Sequence, residues 1–174
     1  MLFSYVIKYK IIKNKNINNK QIEDISRLKD SFWKYGLKSQ KKFLKLNKKL
    51  DDLHILAYKE KKIVGYVNLK IKKFQKNLTN KKSQFFLFDG FVVDKSFRNM
   101  KIGRNLIEIC KKKSRKKKIP ILLLCKKSIL AFYENFSFKM ISKKKFFFVN
   151  HQYKGILMCY NLKIKNINFL KIIF

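Results

Sequence analysis

One segment of this 174-residue chain constrains its fold more than any other. Residues 85–93 are an aromatic and β-branched run typical of a strand. A basic loop follows and leads directly into residues whose apolar positions recur at helical spacing. A loop that opens a helix presents unpaired backbone N–H groups and the positive end of the helix dipole. Because both attract anions, the segment predicts a phosphate-binding loop between a strand and a helix.

Helical and strand patterns are interleaved along the rest of the chain. We expect a strand at 2–12, helices at about 20–35 (stopped by Gly36) and from Ser39 to about 50, strands at 53–58, 63–74 and 85–93, a helix from about 103 to before Pro120, a strand at 121–125, a helix at 128–135, and strands at 138–149 and 155–162.

The order of these elements predicts a mixed α/β fold. The first strands form antiparallel hairpins, whereas the strand–helix–strand crossover in the second half requires a parallel pair. We therefore expect a single domain over residues 1–174, with its core at about 20–163 and a C-terminal tail at 164–174. Its sheet is mixed, mostly antiparallel and six- to seven-stranded, and about four helices flank it.

The net charge of +34 has two explanations. A polyanionic partner is one, because lysine and arginine release counterions from nucleic acid. Codon bias is the other, since Lys, Asn, Ile and Phe dominate the composition and have A/T-rich codons. Only four of the 44 basic residues are arginines, and two of these, Arg98 and Arg104, flank the predicted phosphate loop. The arginines are therefore more informative than the total charge.

The cysteines and the N terminus bear on the compartment. Three widely spaced cysteines suggest neither a disulfide framework nor a metal site. The apolar start is too short for a signal peptide, and no segment has the length of a membrane span. We expect a cytoplasmic protein that is not bound to a membrane. Organellar import stays open, because a basic, acid-poor N terminus is also typical of transit peptides.

The loop after residue 93 resembles the acetyl-CoA pyrophosphate loop of the GNAT superfamily of N-acetyltransferases. That signature is Arg or Gln, two residues, Gly, one residue, then Gly or Ala, and here its positions hold Arg98, Lys101 and Gly103. Lys101 replaces the first glycine, which costs little if the backbone is right-handed but clashes if φ is positive. The alternative is an ordinary strand-to-helix turn. The resemblance implies a set of coenzyme-binding residues: Arg98, Asn99, Met100, Lys101, Ile102, Gly103 and Arg104.

A second motif, at residues 131–138, resembles a later motif of the same family. The family's tyrosine corresponds to Tyr133, which the resemblance places near the coenzyme sulfur as the general acid that protonates the departing thiolate. The family's glycine is Ser137 here, and its asparagine contact to the coenzyme is Lys126. Phe132 and Phe136 are interpreted as the buried stripe of a short helix.

The resemblance also implies where pantetheine and the acceptor bind. Pantetheine enters between the strands at 85–93 and 121–125 and contacts the backbone of Phe91, Val92 and Val93. Asp89, on the first of these strands, is a candidate general base, acting directly or through water. It is equally interpreted as part of an Asp89-Gly90 turn signal. His54 is expected to be a packed or surface side chain, and His151 could line the acceptor pocket.

We therefore predict an acetyl-CoA-dependent N-acetyltransferase, with acetyl-CoA as co-substrate and no metal. The amine acceptor attacks directly in a ternary complex, without an acyl-enzyme. A lysine-covered protein should disfavour cationic acceptors, so we expect a neutral or anionic small-molecule amine, such as an amino sugar. The alternative function is a lysine-rich nucleic-acid-binding module or a non-catalytic CoA-binding module on the same fold. The oligomeric state is a monomer or a homodimer.

Overall fold

The computed structural model of the protein describes residues 6–46, 49–77, 81–149, 155–163 and 168–173. In this part of the chain there are four α-helices and nine strands. The helices are α1 (Asn19–Trp33), α2 (Leu37–Leu46), α3 (Ile102–Lys117) and α4 (Leu130–Glu134). The strands are β1 (Ile7–Lys13), β2 (Leu53–Lys59), β3 (Lys62–Lys76), β4 (Lys82–Val93), β5 (Ile121–Cys125), β6 (Lys139–Met140), β7 (Phe146–Val149), β8 (Ile156–Tyr160) and β9 (Leu170–Ile173).

Helix α1 begins at a capping box, as the polar residues before it predict. The Asn18 side chain accepts a hydrogen bond from the backbone N–H of Gln21, and the Gln21 side chain accepts one from the backbone N–H of Asn18. Two N–H groups that the helix cannot satisfy are thereby paired. One apolar face of the helix is buried: Ile22, Ile25 and Leu28.

The end of α1 and the start of α2 differ from the prediction. Helix α1 ends at Trp33, because Lys34 adopts a left-handed conformation with φ of 47°. Gly36 does not stop α1. Its N–H instead donates to the Asp30 carboxylate at 2.7 Å, and its carbonyl accepts from the N–H of Gln40 at 3.0 Å. Helix α2 therefore starts at Leu37, two residues before the predicted cap.

The chain divides into two compact units, which we call unit 1 and unit 2. Unit 1 consists of residues 1–70 and 89–110, and unit 2 of residues 71–88 and 111–174. Strands β3 and β4 and helix α3 each contribute residues to both units.

Unit 1 contains the first hairpin and its own core. Strand β1 is antiparallel to β2, and β2 is antiparallel to β3 with a register shift between Ala57 and Tyr58, so the predicted 53–58/63–74 hairpin is confirmed. Helices α1 and α2 bury their apolar side chains against these strands. The buried core residues are Ile22, Ile25, Leu28, Leu44, Leu56, Ile63, Tyr66 and Val92.

Unit 2 contains the predicted parallel pair. Strand β4 is parallel to β5, with Phe86 opposite Ile121, and β5 is antiparallel to β8. Strand β6 is antiparallel to β8, β7 is parallel to β9, and β9 is antiparallel to the end of β3. The core residues are Phe74, Phe85, Leu122, Ile141, Leu157, Cys159, Leu170 and Ile172.

The predicted fold class is confirmed: a mixed, mostly antiparallel sheet with four helices. The described residues hold nine strands, however, and not six or seven. The predicted strand at 138–149 is two strands, β6 and β7, separated by a 3-10 turn at Lys143–Lys145. Strand β9 lies in the predicted tail. No helix in the described part of the chain combines the length and the apolar composition needed to cross a bilayer.

Candidate functional site

The predicted phosphate loop lies in unit 1, and Asp94 anchors its start. One Asp94 carboxylate oxygen accepts from the backbone N–H of Ser96 at 3.0 Å, and the other accepts from Lys62 Nζ at 2.8 Å. The backbone N–H of Asp94 donates to the carbonyl of Val64 at 2.9 Å. Partial burial acts to raise the pKa of Asp94, but the hydrogen bonds from Lys62 and Ser96 outweigh it and hold the pKa below its usual value.

The rest of the loop is exposed and basic. After a 3-10 turn at Lys95–Phe97, residues 98–101 are exposed and lead into α3 at Ile102. The guanidinium of Arg98 lies 5.8 Å from the ring centroid of Phe32 in α1. The carbonyl of Lys101 accepts from the N–H of Asn105, so the helical ladder begins there. The N–H groups in the first turn of a helix have no acceptor within the helix itself, and together with the helix dipole they favour an anion at this end of α3.

Lys101 has a positive φ, of 58°, and Asn99 also lies in the left-handed region with φ of 66°. Asparagine tolerates this region, whereas a lysine side chain is strained there. The family's glycine at position 101 is therefore replaced where glycine is favoured. Ser137, at the other missing glycine, is also left-handed, with φ of 65°.

Two glycines allow α3 to lie close to the strands of unit 1. A Cβ on Gly103 would be 3.2 Å from Cζ of Phe91. A Cβ on Gly65 in β3 would be 2.9 Å from Cγ2 of Ile102 and 3.1 Å from Leu106. Larger side chains at either position would push the start of the helix away from the sheet. Sequence reasoning missed Gly65, whose only sequence signal is a glycine inside a strand pattern.

Asp89 lies inside β4, not in a turn, so the turn interpretation is wrong. The strand continues through Gly90, whose φ of 64° is typical of a local β-bulge. The Asp89 carboxylate accepts from Lys70 Nζ at 2.6 Å. Phe91, Val92 and Val93 complete the strand in unit 1, with Val92 buried in the core.

Asp89 also lines a cavity of about 440 Å³ in unit 1. None of its other lining residues was assigned to a site from the sequence. They come from α1, α2, the segment between them and Gly90: Lys29, Trp33, Tyr35, Ser39, Gln40, Phe43 and Gly90. The sequence shows only the apolar pattern of the two helices. Lys29 and Gln40 stand at polar positions of that pattern, where solvent-exposed side chains are the usual expectation.

Tyr133 lies in unit 2, on α4, and is buried. Its ring packs edge-on against Phe88, Phe132 and Phe138, with centroids 5.2 to 6.0 Å apart. Burial, and to a smaller extent a charge on Cys125, raises the pKa of the Tyr133 hydroxyl. The phenol is therefore protonated at neutral pH and can donate a proton or a hydrogen bond.

The other residues singled out in the sequence lie in both units. Lys126 is exposed in unit 2, at the start of the 3-10 turn Lys127–Ile129. Phe136 is buried, as predicted, but Phe132 is 41% exposed. His54 is packed in unit 1, with Nδ1 2.9 Å from the Tyr66 hydroxyl. His151 lies outside the described residues.

Residues 51–140, just over half of the chain, match the family model described as an acetyltransferase (GNAT) domain. No curated protein sequence matches the chain. Among solved structures, the Escherichia coli GNAT family N-acetyltransferase YhbS in complex with CoA has a TM-score of 0.69 at 13% identity, over 97% of this chain and 91% of that one.

Two further structures agree with that match. A GNAT acetyltransferase from Staphylococcus aureus Mu50 has a TM-score of 0.65 at 20% identity, over 90% of this chain and 100% of that one. An aminoglycoside 6'-N-acetyltransferase complexed with coenzyme A has a TM-score of 0.64 at 16% identity, over 87% of this chain and 96% of that one. At these identities the likeness shows the fold alone, and the family model shows the relationship: the chain belongs to the GNAT family of acetyltransferases.

Proposed function

We propose that this chain transfers an acetyl group from acetyl-CoA to the primary amine of a small molecule, by direct attack in a ternary complex. The observation that carries the proposal is the exposed basic loop 98–104 at the start of α3, in a chain of the GNAT family. Two of the similar solved structures hold coenzyme A, which supports acetyl-CoA as the donor.

The loop has the groups that a pyrophosphate requires. The first-turn N–H groups of α3 can donate to phosphate oxygens, and Arg98 and Arg104 are exposed and add positive charge. Asn99, Met100, Lys101 and Gly103 complete the exposed or half-exposed surface, while Ile102 anchors the helix in the core. We further propose that the backbone of Phe91, Val92 and Val93 binds pantetheine, and that Lys126 replaces the family's asparagine at the coenzyme.

Acetyl-CoA supplies a thioester whose carbonyl carbon an uncharged amine can attack and whose thiolate then leaves. The amine loses one proton, and the thiolate gains one. We assign the first proton to Asp89, directly or through a water molecule, because its carboxylate lines the cavity of unit 1. Lys70 binds that carboxylate at 2.6 Å and fixes its orientation.

Tyr133 is assigned to the second proton. It occupies the tyrosine position of the family's motif, and because burial raises its pKa the phenol carries its proton and can donate a hydrogen bond, and then the proton, to the thiolate as the C–S bond breaks. Because its ring is held by aromatic contacts, the hydroxyl needs little reorganisation to donate.

The test is coenzyme binding followed by turnover. Coenzyme A should raise the melting temperature, since a ligand that binds only the native state stabilises it. The change Arg98→Met should reduce that rise, because it removes a charged donor from the loop. Arg27→Met is the matched control, since Arg27 lies on the exposed side of α1 and pairs with Glu23. An unchanged melting temperature at millimolar coenzyme would refute the proposal.

A further inference from the structure

The cavity of unit 1 contains a buried cation. Lys29 is only 5% exposed, and its Nζ lies 4.6 Å from the ring centroid of Phe43 and 5.8 Å from that of Trp33. An ammonium group is costly to bury unless an anion compensates it. Aromatic rings compensate only part of that cost.

The nearest carboxylate is already engaged by another lysine. Asp89 Oδ2 lies 2.6 Å from Lys70 Nζ, and Lys70 is itself 9% exposed. Among the described residues, no carboxylate lies within 4.0 Å of Lys29 Nζ. Burial lowers the pKa of Lys29, the Asp89 charge raises it, and the Lys70 charge lowers it again. The charge of one carboxylate thus acts on two buried lysines, and of the two only Lys70 is in ion-pair contact with it.

Gln40 is a second, independent sign of an absent partner. It lines the same cavity and is 3% exposed. Its side-chain nitrogen Nε2 is buried and has no hydrogen-bond partner in the described part of the chain. A buried donor without an acceptor is destabilising, so native proteins rarely retain one without a reason.

Within the ranges that the structure describes, Lys29 lacks an anion within ion-pair distance and Gln40 Nε2 lacks a hydrogen-bond acceptor, and a carboxylate would supply both. We propose that this cavity is the acceptor site, and that Lys29 and Gln40 bind the carboxylate of a primary amine that carries one. The inference rests on the proposed acetyl transfer. An acceptor with an additional positive charge would be repelled by Lys29 and Lys70, whereas a carboxylate pairs with Lys29 and satisfies Gln40.

The cavity walls restrict the remainder of the acceptor. Trp33, Tyr35 and Phe43 offer aromatic surface, and the volume of about 440 Å³ admits an amino acid with a large side chain. Three acceptors with one scaffold isolate the carboxylate: L-phenylalanine, its carboxamide and phenethylamine.

The first measurement is the steady-state kinetics of these three amines with acetyl-CoA. We expect kcat/KM for L-phenylalanine to exceed that for the carboxamide and for phenethylamine by roughly 10- to 100-fold, the contribution of a charged hydrogen-bonded pair. The second measurement is calorimetric binding of L-phenylalanine to the protein without acetyl-CoA.

The variant Lys29→Met keeps the side-chain length and removes the charge. We expect it to raise KM for L-phenylalanine by roughly 10- to 100-fold and not to raise KM for phenethylamine, which has no carboxylate for Lys29 to bind. Lys29→Arg should retain most of the preference. Gln40→Met, the second variant, should raise the same KM by about 5-fold. Lys38→Met is the matched control on α2, because this substitution removes the same positive charge from an exposed position.

The outcomes separate this inference from the proposed function. If phenethylamine is acetylated as well as L-phenylalanine, and Lys29→Met affects both equally, the acceptor class is wrong and acetyl transfer stands. If no amine is acetylated and coenzyme does not bind, the proposed function fails. Calorimetric binding of L-phenylalanine that Lys29→Met abolishes would then still support the carboxylate site, and absence of binding would overturn it.

Discussion

At the scale of single residues, the two positions where the chain lacks its family's glycines have the same backbone geometry. Lys101 and Ser137 both have positive φ, of 58° and 65°. Six other non-glycine residues in the described part of the chain do so too: Lys34, Glu60, Asn77, Asn99, Lys118 and Asn161. A chain with only five glycines uses lysine and asparagine for turns that favour glycine.

Lys101→Gly should therefore stabilise the protein. A left-handed conformation costs an L-residue about 1–2 kcal/mol, and the greater freedom of glycine in the unfolded chain offsets about 0.4–1 kcal/mol. We expect a gain in unfolding free energy of up to about 1 kcal/mol, measured by urea denaturation. The control Lys112→Gly, in the exposed middle of α3, should cost about 1 kcal/mol. Equal losses for both variants would contradict the strain at Lys101.

Tyr133→Phe tests the assigned general acid. The substitution removes the hydroxyl but keeps the ring that packs against Phe88 and Phe138. We expect kcat to fall by about 10²-fold or more, with little change in KM for acetyl-CoA and in melting temperature. Tyr160→Phe is the control. It removes another tyrosine hydroxyl of unit 2, which accepts a hydrogen bond from Arg115. A kcat unchanged by Tyr133→Phe would remove the phenol from the mechanism.

At the scale of elements, the phosphate loop depends on contacts at its first residue. Asp94 joins the end of β4, the turn at Lys95–Phe97 and the lysine that starts β3. The Asp94 side chain and the backbone N–H two residues on form an Asx turn, which was not predicted from the sequence. Without Lys62 and Val64 as known neighbours, nothing in the sequence indicated that this turn is attached to β3.

Asp94→Ala should make the stability less dependent on pH. The pKa of Asp94 is lower in the folded protein than the value of about 3.9 in an unfolded chain. Its ionised form thus stabilises the fold above that value, and this contribution is lost as pH falls through the folded pKa.

We expect the variant to be about 1 kcal/mol less stable than the wild type at pH 6, and the difference to shrink as pH falls below about 3.9. Urea denaturation at several pH values measures it. Asp51→Ala breaks an exposed ion pair with Lys13 and is the control, for which a smaller loss is expected. A difference that is constant over this pH range would show that the carboxylate charge is not involved.

At the scale of the whole molecule, the net charge of +34 opposes folding through self-repulsion. Only ten acidic residues are present to offset 44 basic ones. Added salt shortens the screening length from about 30 Å at 0.01 M to about 3 Å at 1 M. We therefore expect the melting temperature to rise with NaCl, steeply at low concentration and then level off. A rise only at high concentration would indicate exclusion of salt from apolar surface instead.

Much of the fold could be predicted because local patterns agree with it. The polar cap at Asn18, the apolar spacing of Ile22, Ile25 and Leu28, and the apolar run of β5 all depend on neighbours in sequence. Strand β9 and the break between β6 and β7 could not be predicted. Both depend on partners distant in sequence: β9 pairs with β3 and β7, and β6 pairs with β8.

The sequence by itself determined the family and the position of the loop, because the strand, the basic loop and the helix follow one another directly along the chain. Only the tertiary structure decided the conformation of Lys101, since both signs of φ were compatible with the sequence pattern. It also decided the character of the cavity. Lys29, Gln40, Lys70 and Asp89 are far apart in the chain, and folding brings two buried lysines and an unpaired amide to a single carboxylate.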